Sequence, residues 1–547
     1  MGAILGIGGF DHDGAVSLLR GDTLVGHVEW ERVSRRRFAG LRSPEDVERL
    51  LGATGWDLSD VEVIAWADRE RYDDPATEGV RALLARRFPG VAVEVVEHHR
   101  CHLASAYLVS SFDRATVLSI DGKGDAASAA VARGVGGELS TIVRQPSASS
   151  IGRAWHALSI VCGYPHFGAA GKVMALAAYG RPRFLDALVG WTVLRDDGTF
   201  SFTAPGELPN EGPTFRRADR KADFLCRTLD VPPRAADKPF VDAHADLAAS
   251  VQAWTEIVIA HLARTAVRVA GSRHLCLAGG VALNVLANRH LLEAGIADEV
   301  FVQPAAGDDG LSLGAALALG GRPIRGASGR GRFDPYLGRS FDSDAVERIL
   351  WRTNDLVTTR PDDPAASAAE ALVRGEMLGW FCGREEAGPR ALGARSLLAS
   401  PLVRGMRDRI NQTKGREPFR PVALMIDEAV RHDAFTGPAC PYMLRSATVR
   451  PAYRERLAEG IHRDGTSRLQ VVDGESPPAL VALLGAFGRA TGIPALINTS
   501  LNGPGEPLVG TPQEALALLR AGRVDGLFIA GFEVRRAAGA GQPGRDA

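Results

Sequence analysis

Glu97-His98-His99-Arg100-Cys101-His102 gathers three imidazoles at the head of an Ala-rich stretch that can be helical. His98 and His102 stand four apart, so a helix sets them on one face, at the spacing with which two imidazoles reach one ion. A lone HxxxH pair is more often structural than ligating, and two acids shift that balance. Asp121 lies in the turn Asp121-Gly122-Lys123-Gly124-Asp125, and Asp308 lies in Pro304-Ala305-Ala306-Gly307-Asp308-Asp309-Gly310, a turn at another strand end. Two imidazoles plus two carboxylates with open positions suit a divalent ion such as Fe(II), with Mn or Zn also compatible by ligand chemistry. A Lewis acid there would neutralise phosphate charge and polarise an acyl oxygen. His99, off the ligating face, reads as a supporting or core residue.

A second candidate for chemistry is Gly279-Gly280-Val281-Ala282-Leu283-Asn284, which follows the apolar strand candidate Leu275–Ala278. Glycine at a strand-to-helix turn lets backbone approach a ligand closely, and the helix N-terminus favours phosphate or ribose oxygens. Gly279, Gly280, Val281 and Asn284 are therefore nucleotide-contact candidates, although a GG turn alone is more often punctuation.

The elements that must position these groups form a duplication. Ala3–Gly9 reads as a strand, followed by the turn Phe10-Asp11-His12-Asp13-Gly14, a strand Ala15–Leu19, a tight turn at Arg20-Gly21-Asp22 and a strand Leu24–Glu29. The same order returns as strand Ala115–Ile120, the turn at Asp121–Asp125, strand Ala127–Arg133, turn Gly134–Gly137 and strand Leu139–Arg144. Each block is strand, acidic Gly turn, strand, hairpin, strand. Two such halves resemble the actin/hexokinase/heat-shock-ATPase superfamily, in which the two turns hold nucleotide phosphates through backbone N–H groups. Two unrelated hairpins would give the same pattern, and loop composition does not choose between them. A long helix is expected near Ala245–Val269, with Leu247, Val251, Trp254, Val258 and Leu262 at spacings of three and four. Gly320–Arg332 reads as a linker rich in Gly, Arg and Ser. A further α/β region opens at Ser343–Arg352, and a disordered tail is expected at Arg535–Ala547.

Composition limits what these residues can serve. The chain has 547 residues, 45% hydrophobic and 24% charged, with a formal net charge of −1. The near balance argues against a nucleic-acid binder, which would carry a basic excess. No run of about 18 uninterrupted apolar residues is present to span a membrane. Met1-Gly2-Ala3-Ile4 enters a strand-like segment without the basic start of a signal peptide. The six cysteines form no CxxC pair, so zinc-ribbon and disulfide-framework readings fail and reduced thiols in a cytoplasmic protein are expected.

Taken together, the Phe10–Gly14 turn, the His98–His102 cluster, Ile120–Asp125, Gly171-Lys172-Val173-Met174-Ala175-Leu176-Ala177-Ala178-Tyr179-Gly180, Gly279–Asn284 and Gly307–Ala316 resemble the NodU-type O-carbamoyltransferases, which are nodulation-factor and antibiotic-tailoring enzymes. The second half fits too, with Glu386–Gly393, Asn411–Arg420, Pro441-Tyr442-Met443, His462–Gln470 and Asn498-Thr499-Ser500-Leu501-Asn502 in the same order. Two departures stand out. A lysine common after the first ER-x-SR segment is Arg37 here, and Ala170 replaces a usual glutamate beside Lys172.

The resemblance implies an α/β chain with an actin/hexokinase-like (ASKHA) duplicated domain, residues 1–335, similar to the tRNA threonylcarbamoyl transferase. A YrdC-like domain, residues 336–547, would follow. It implies that Arg390, Lys414, Arg420 and Arg468 bind carbamoyl phosphate and the phosphates of ATP, since Arg offers a bidentate fork and Lys a mobile point charge. Ser500 and Asn498 would donate to the carbamoyl group, while Arg384, Arg395 and Arg416 are equally well read as surface cations. Gly122, Gly124 and Lys172 join the nucleotide contacts. The expected reaction makes a carbamoyl-adenylate in the second domain and transfers its carbamoyl group to a small-molecule hydroxyl in the first. His12, flanked by Asp11 and Asp13, is the candidate base for that alcohol, with Asp13 beside it. No nucleic-acid or membrane partner is expected, and a monomer or homodimer would suffice. The alternative is a tRNA threonylcarbamoyladenosine-type enzyme, which shares the first fold. Hydrogenase-maturation carbamoyltransferases carry Cys-rich zinc segments that this chain lacks. A sugar kinase would have no use for the C-terminal cations, and an inactive regulatory module would not need metal, base and phosphate candidates together. The stretch Arg181–Asp242 and the loops after Arg37 are expected to shape the acceptor pocket.

Overall fold

In the computed structural model, described for residues 2–202, 214–321, 332–437 and 440–537, the chain divides by packing into two units. Unit 1 comprises residues 1–27 and 40–333; unit 2 comprises residues 28–39 and 334–547. Val28–Ala39 therefore packs with a part of the chain some 300 residues further on, a partition no continuous stretch of sequence announces.

Unit 1 is the duplication. Its first sheet runs β3 (Thr23–Glu29), β2 (Ala15–Arg20), β1 (Ala3–Gly8), β4 (Val61–Ala67), β5 (Ala92–Val96). The second runs β8 (Glu138–Pro146), β7 (Ala127–Val135), β6 (Arg114–Gly124), β11 (His274–Ala278), β12 (Glu299–Val302), with β9 (Thr192–Leu194) and β10 (Phe200–Phe202) forming a separate ribbon. In each sheet the central strand pairs antiparallel with its hairpin partner and parallel with the strand on its other side. The repeated strand order makes this an actin/hexokinase-like α/β fold.

One expected turn is displaced. Rather than turning at Asp121, β6 continues to Gly124, with an irregularity in its pairing to β7 between Ile120 and Gly124. The reversal comes at Asp125, whose φ is +48°. Such a bulge re-aims side chains, and the residue it re-aims here is Asp121.

Glycine brings the site-bearing helices together. The Leu311–Gly320 helix lies between β1 and the His98–Tyr107 helix. A Cβ on Gly314 would sit 1.9 Å from the Cys101 carbonyl oxygen, and one on Gly6 would sit 1.9 Å from that of Ser312. Backbone-to-backbone approach thus fixes His98 and His102 relative to Asp308, which lies just ahead of the Leu311–Gly320 helix. The expected long helix spans Asp242–Ala270, with Leu247, Val251, Trp254, Val258 and Leu262 all buried. Among the described residues no helix is long and apolar enough to cross a membrane.

Unit 2 holds a ten-stranded mixed sheet in the order β13 (Leu356–Thr359), β22 (Phe532–Arg536), β21 (Gly526–Ile529), β14 (Leu378–Phe381), β15 (Arg395–Ala399), β20 (Ala495–Ser500), β16 (Ala423–Asp427), β19 (Thr466–Val472), β18 (Ser446–Val449), β17 (Phe435–Thr436). Alternate residues feed opposite cores: Leu424, Ile426, Leu469 and Ile497 join one cluster, whereas Met425, Leu496 and Phe528 join the other with Leu480, Leu484 and Phe487. Arg535 and Arg536 belong to β22, so the expected disorder does not begin at Arg535; residues 538–547 lie outside the described residues. The linker expected at 320–332 falls on residues 322–331, and part of the acceptor-shaping stretch falls on residues 203–213; both also lie outside them.

If the glycine contact sets the position of the His98–Tyr107 helix, Gly314→Val must push two backbones apart, at the cost of about 1–3 kcal/mol typical of overpacking. Gly52→Ala, in open space on the Pro44–Thr54 helix, should be neutral or stabilising by up to about 1 kcal/mol. Thermal melts that rank the two variants alike would refute this.

Candidate functional site

The His98–Tyr107 helix follows β5 directly and is buried at every residue but Arg100. Its first residue and the one a turn later point their Nε2 atoms at each other, 3.2 Å apart. Asp121 Oδ2, from the bulged end of β6, lies 3.2 Å from His98 Nε2 and 3.3 Å from His102 Nε2. Asp308 Oδ1 lies 3.7 and 3.5 Å from the same nitrogens. One donor atom from each of the four residues falls within a group no more than 4.8 Å across. Metal–ligand bonds of about 2.0–2.2 Å place neighbouring donors roughly 3.0–3.5 Å apart, so this set fits one cation.

The electrostatics agree. Burial would lower the His98 and His102 pKa values, but Asp308 and Asp121 outweigh it and raise both. Burial alone would raise the Asp121 carboxyl, yet His102 and His98 hold it well below the usual carboxylate range. The cluster therefore calls for positive charge at its centre, which a proton or a divalent ion can supply. His99 turns away, its Nδ1 2.8 Å from Ser119 Oγ; burial, with His98 and His102 as neighbours, lowers it to about 4.

The expected nucleotide-contact residues show other partners. Asp121 Oδ1 accepts the N–H groups of Gly122 at 2.7 Å and Gly280 at 3.2 Å. These turn amides thus orient the carboxylate, where open donors for phosphate were expected. At Gly124 a Cβ would fall 2.0 Å from the His98 ring, so the glycine makes room for that imidazole. Gly279 has φ +88°, and its Cβ would meet the Ile120 carbonyl at 2.3 Å. Val281 is buried, and Asn284 caps the Val285–Glu293 helix through Ala287 N–H while pairing with Gln252. Lys172 lies with its Nζ 4.8 Å from the centre of the Tyr164 ring.

His12 belongs to the same cluster. Its Nε2 is 3.6 Å from Asp308 Oδ2 and its Nδ1 3.0 Å from Asp13 Oδ2, with Asp13 at φ +53°. Asp11 points instead to Arg71, 2.5 Å away. The ring lies 4.4 Å from that of Phe167. Burial would lower His12, but Asp308, Asp13 and Asp121 together raise it to about 9.

Unit 2 carries the opposite charge. Burial and neighbouring arginines lower Arg390 to about 10 and Arg416 to about 9, and pull Lys414 and Arg468 well below their ordinary values. Arg420 and Arg37 appear among the repelling neighbours. The four expected cations thus converge, and Arg416 and Arg37, not among those four, converge with them. Lys414 Nζ donates to the Ser500 carbonyl and to Asn502 Oδ1, both at 2.5 Å, and Ser500 Oγ donates to the same Asn502 oxygen at 2.7 Å. Asn498 was expected to donate to a ligand; its Nδ2 instead donates to Gln470 Oε1 and the Ala391 carbonyl. Gln470 Nε2 in turn donates to the Leu392 carbonyl, so the pair braces the chain beside Arg390.

A buried ion pair braces the other side. Glu29 Oε1 accepts the Gly388 N–H and Arg32 donates to the Gly388 carbonyl, each at 2.6 Å, across 359 and 356 residues. Gly388 itself sits at φ +90°. Arg395, read earlier as equally well a surface cation, is wholly buried, with its guanidinium 3.6 Å from the Phe381 ring centre.

With this geometry in hand, comparison with known proteins is specific. Sequence models of the carbamoyltransferase N-terminus and C-terminus match residues 79–317 and 369–536. The nodulation protein NolNO of Sinorhizobium fredii is 34% identical over 96% of this chain and 79% of its own. NolO of Bradyrhizobium diazoefficiens is 35% identical over 81% of this chain and 79% of its own. An uncharacterized Synechocystis protein is 30% identical over 99% of this chain and 98% of its own.

His462 supports Arg468 by accepting its backbone N–H at 3.3 Å, and burial together with Arg468 lowers its pKa to about 4. The folded imidazole is neutral, whereas the unfolded one takes a proton near pH 6.5. Stability from this residue is therefore full above pH 6.5 and falls as pH drops toward about 4. Urea unfolding across that window should show a shallower pH slope for His462→Gln than for the parent; equal slopes would contradict the assignment.

Proposed function

This chain belongs to the carbamoyltransferase family, and we propose that it is an ATP-dependent O-carbamoyltransferase using carbamoyl phosphate to carbamoylate a hydroxyl of a small molecule, an antibiotic or other natural product. The observation that carries the reading is the presence in one chain of two partly buried sites of opposite sign. Unit 2 has a polyanion cradle, and unit 1 has an acid-rich donor set with a histidine beside it.

In unit 2, Arg390, Lys414, Arg420 and Arg468, with Arg416 and Arg37, hold the phosphates of carbamoyl phosphate and ATP. Water converts carbamoyl phosphate to carbamate and inorganic phosphate. A carbamate oxygen then displaces pyrophosphate from ATP, leaving carbamoyl-adenylate. In unit 1 the acceptor hydroxyl attacks the carbamoyl carbon, its proton passes to His12 Nε2, and AMP departs. Asp13 keeps a proton on Nδ1 and so leaves Nε2 as the acceptor, the logic of an oriented base. His98, His102, Asp121 and Asp308 would hold a divalent ion, Fe(II) by preference, which would supply Lewis-acid stabilisation of phosphate and acyl oxygens. Asp308 and Asp121, two of the three carboxylates that raise His12, are ones whose charge such a cation would offset, which would return its imidazole toward the range useful at pH 7.

The two-stage scheme separates cleanly by experiment. Lys414→Ala should stop ATP- and carbamoyl-phosphate-dependent formation of carbamoyl-adenylate, and pre-formed adenylate should restore carbamoylation of an accepted alcohol. Transfer that stays dead with adenylate supplied would sink the scheme.

His12→Asn should keep the fold and adenylate formation but slow the transfer step by at least about a hundredfold, within the range for loss of a general base. Single-turnover transfer within a few-fold of the parent would leave His12 a loop residue.

A further inference from the structure

We propose that Asp68 is the positioning residue of the unit 1 metal centre, setting the tautomer and orientation of His98; this rests on the metal reading above. Asp68 ends β4 and starts the short Arg69–Tyr72 helix. Its backbone N–H donates to the Val96 carbonyl at 2.9 Å, which ties the end of β4 to the residues just ahead of His98. Its Oδ1 caps the turn through Arg71 N–H at 3.4 Å. Capping needs only that oxygen. The other, Oδ2, lies 3.5 Å from His98 Nδ1, on the side of the ring away from Asp121.

A neutral imidazole carries one N–H, and an ionised carboxylate can only accept. Asp68 therefore draws the proton to Nδ1 and leaves the Nε2 lone pair toward His102, Asp121 and Asp308. Metal-bound histidines commonly donate their second ring N–H to a carboxylate, and loss of that partner weakens metal binding. The ring has little freedom to escape this arrangement. Gly124 packs so closely on it that a Cβ would overlap Cδ2, and the His98 backbone N–H donates to Asp125 Oδ2 at 3.0 Å.

Asp125 makes the second tie. Its Oδ1 accepts Glu70 N–H at 3.0 Å, so one carboxylate joins the His98 backbone to the short helix that Asp68 begins. Asp68 and Asp125 both adopt positive φ, +80° and +48°, a region where non-glycine residues are uncommon. Local capping accounts for part of that preference in aspartates, yet each also spends an oxygen on His98. His98 Nδ1 and His102 Nδ1 are both buried without a hydrogen bond among the described residues, and of the two it is His98 Nδ1 that has a carboxylate oxygen beside it, Asp68 Oδ2 at 3.5 Å. The two imidazoles are thus inequivalent, and His98 is the pinned one.

The test is Zn²⁺ affinity of the full chain by competition with a chromogenic chelator, with melting of the chelator-treated protein as a fold control. Asp68→Asn and Asp68→Ala should raise the Kd about 10–100-fold, with metal-free melting of Asp68→Asn close to the parent and Asp68→Glu recovering part of the affinity. A purely capping role predicts the reverse pattern, lowered melting with Zn²⁺ affinity within about threefold of the parent. That result, alongside abolished binding in His102→Ala, overturns the role of Asp68 alone. A parent that binds no Zn²⁺ more tightly than His102→Ala overturns the metal reading beneath it.

Discussion

Unbalanced charge held out of water is the constraint around which both units are arranged. Burying an ionised group costs far more than burying an apolar one unless an opposite charge or hydrogen bonds compensate. In unit 1, Asp121 and Asp308 converge on His98 and His102, and the imidazoles balance the carboxylates only by taking up protons. In unit 2, arginines and a lysine lower one another's pKa with few carboxylates among them. Each arrangement stores a deficit that a ligand of the missing sign would relieve: a cation in the first, a polyanion in the second. Ligand affinity and specificity can come from that relief, at the expense of the ligand-free fold.

Such sites need stiff surroundings, because like charges left mobile would swing apart into solvent. Unit 1 supplies stiffness through close backbone approach. Gly6 and Gly314 let the Leu311–Gly320 helix press on β1 and on the histidine helix, and Gly124 lets β6 press on His98. Unit 2 does so through buried polar ties. Glu29 and Arg32 grip both peptide groups of Gly388, Asn498 and Gln470 donate to the Ala391 and Leu392 carbonyls, and Glu386 Oε1 accepts the N–H groups of Leu392, Ala394 and Arg395. The chain around Arg390 is thereby held from several sides. Removing one partner of such a buried pair is costly, since the other charge stays behind.

The duplicated strand pattern has a consequence for the chemistry. In both halves a residue of the candidate site lies near the end of the central strand: His12 in the loop after β1, and Asp121 where β6 bulges. The two turns differ in what they hold, an imidazole with its own carboxylate in one and a carboxylate oriented by glycine amides in the other. Gly122 and Gly280 spend their N–H groups on Asp121, so the carboxylate is oriented before any ligand arrives.

How much of this was legible beforehand follows from the range of each interaction. The cations around Lys414 and Arg468 were legible only through the family resemblance, whereas spacing along the chain determined the HxxxH pair, the two hairpin blocks and the long amphipathic helix with Leu247, Val251 and Trp254. Each is a local pattern whose period of two, or of three to four, survives in one dimension. Only the tertiary structure decided that Val28–Ala39 packs with unit 2, which brings Arg37 to Arg390 and Lys414. It likewise decided that Arg395 is core, that Asn284 and Asn498 bond their own chain, and that Asp68 and Asp125 attend His98. Aspartates in short turns look alike in sequence whether they cap a helix, bind solvent or hold a histidine. What separates them is the neighbour across a fold-determined gap, and contacts made across tens to hundreds of residues leave no spacing for a sequence to display.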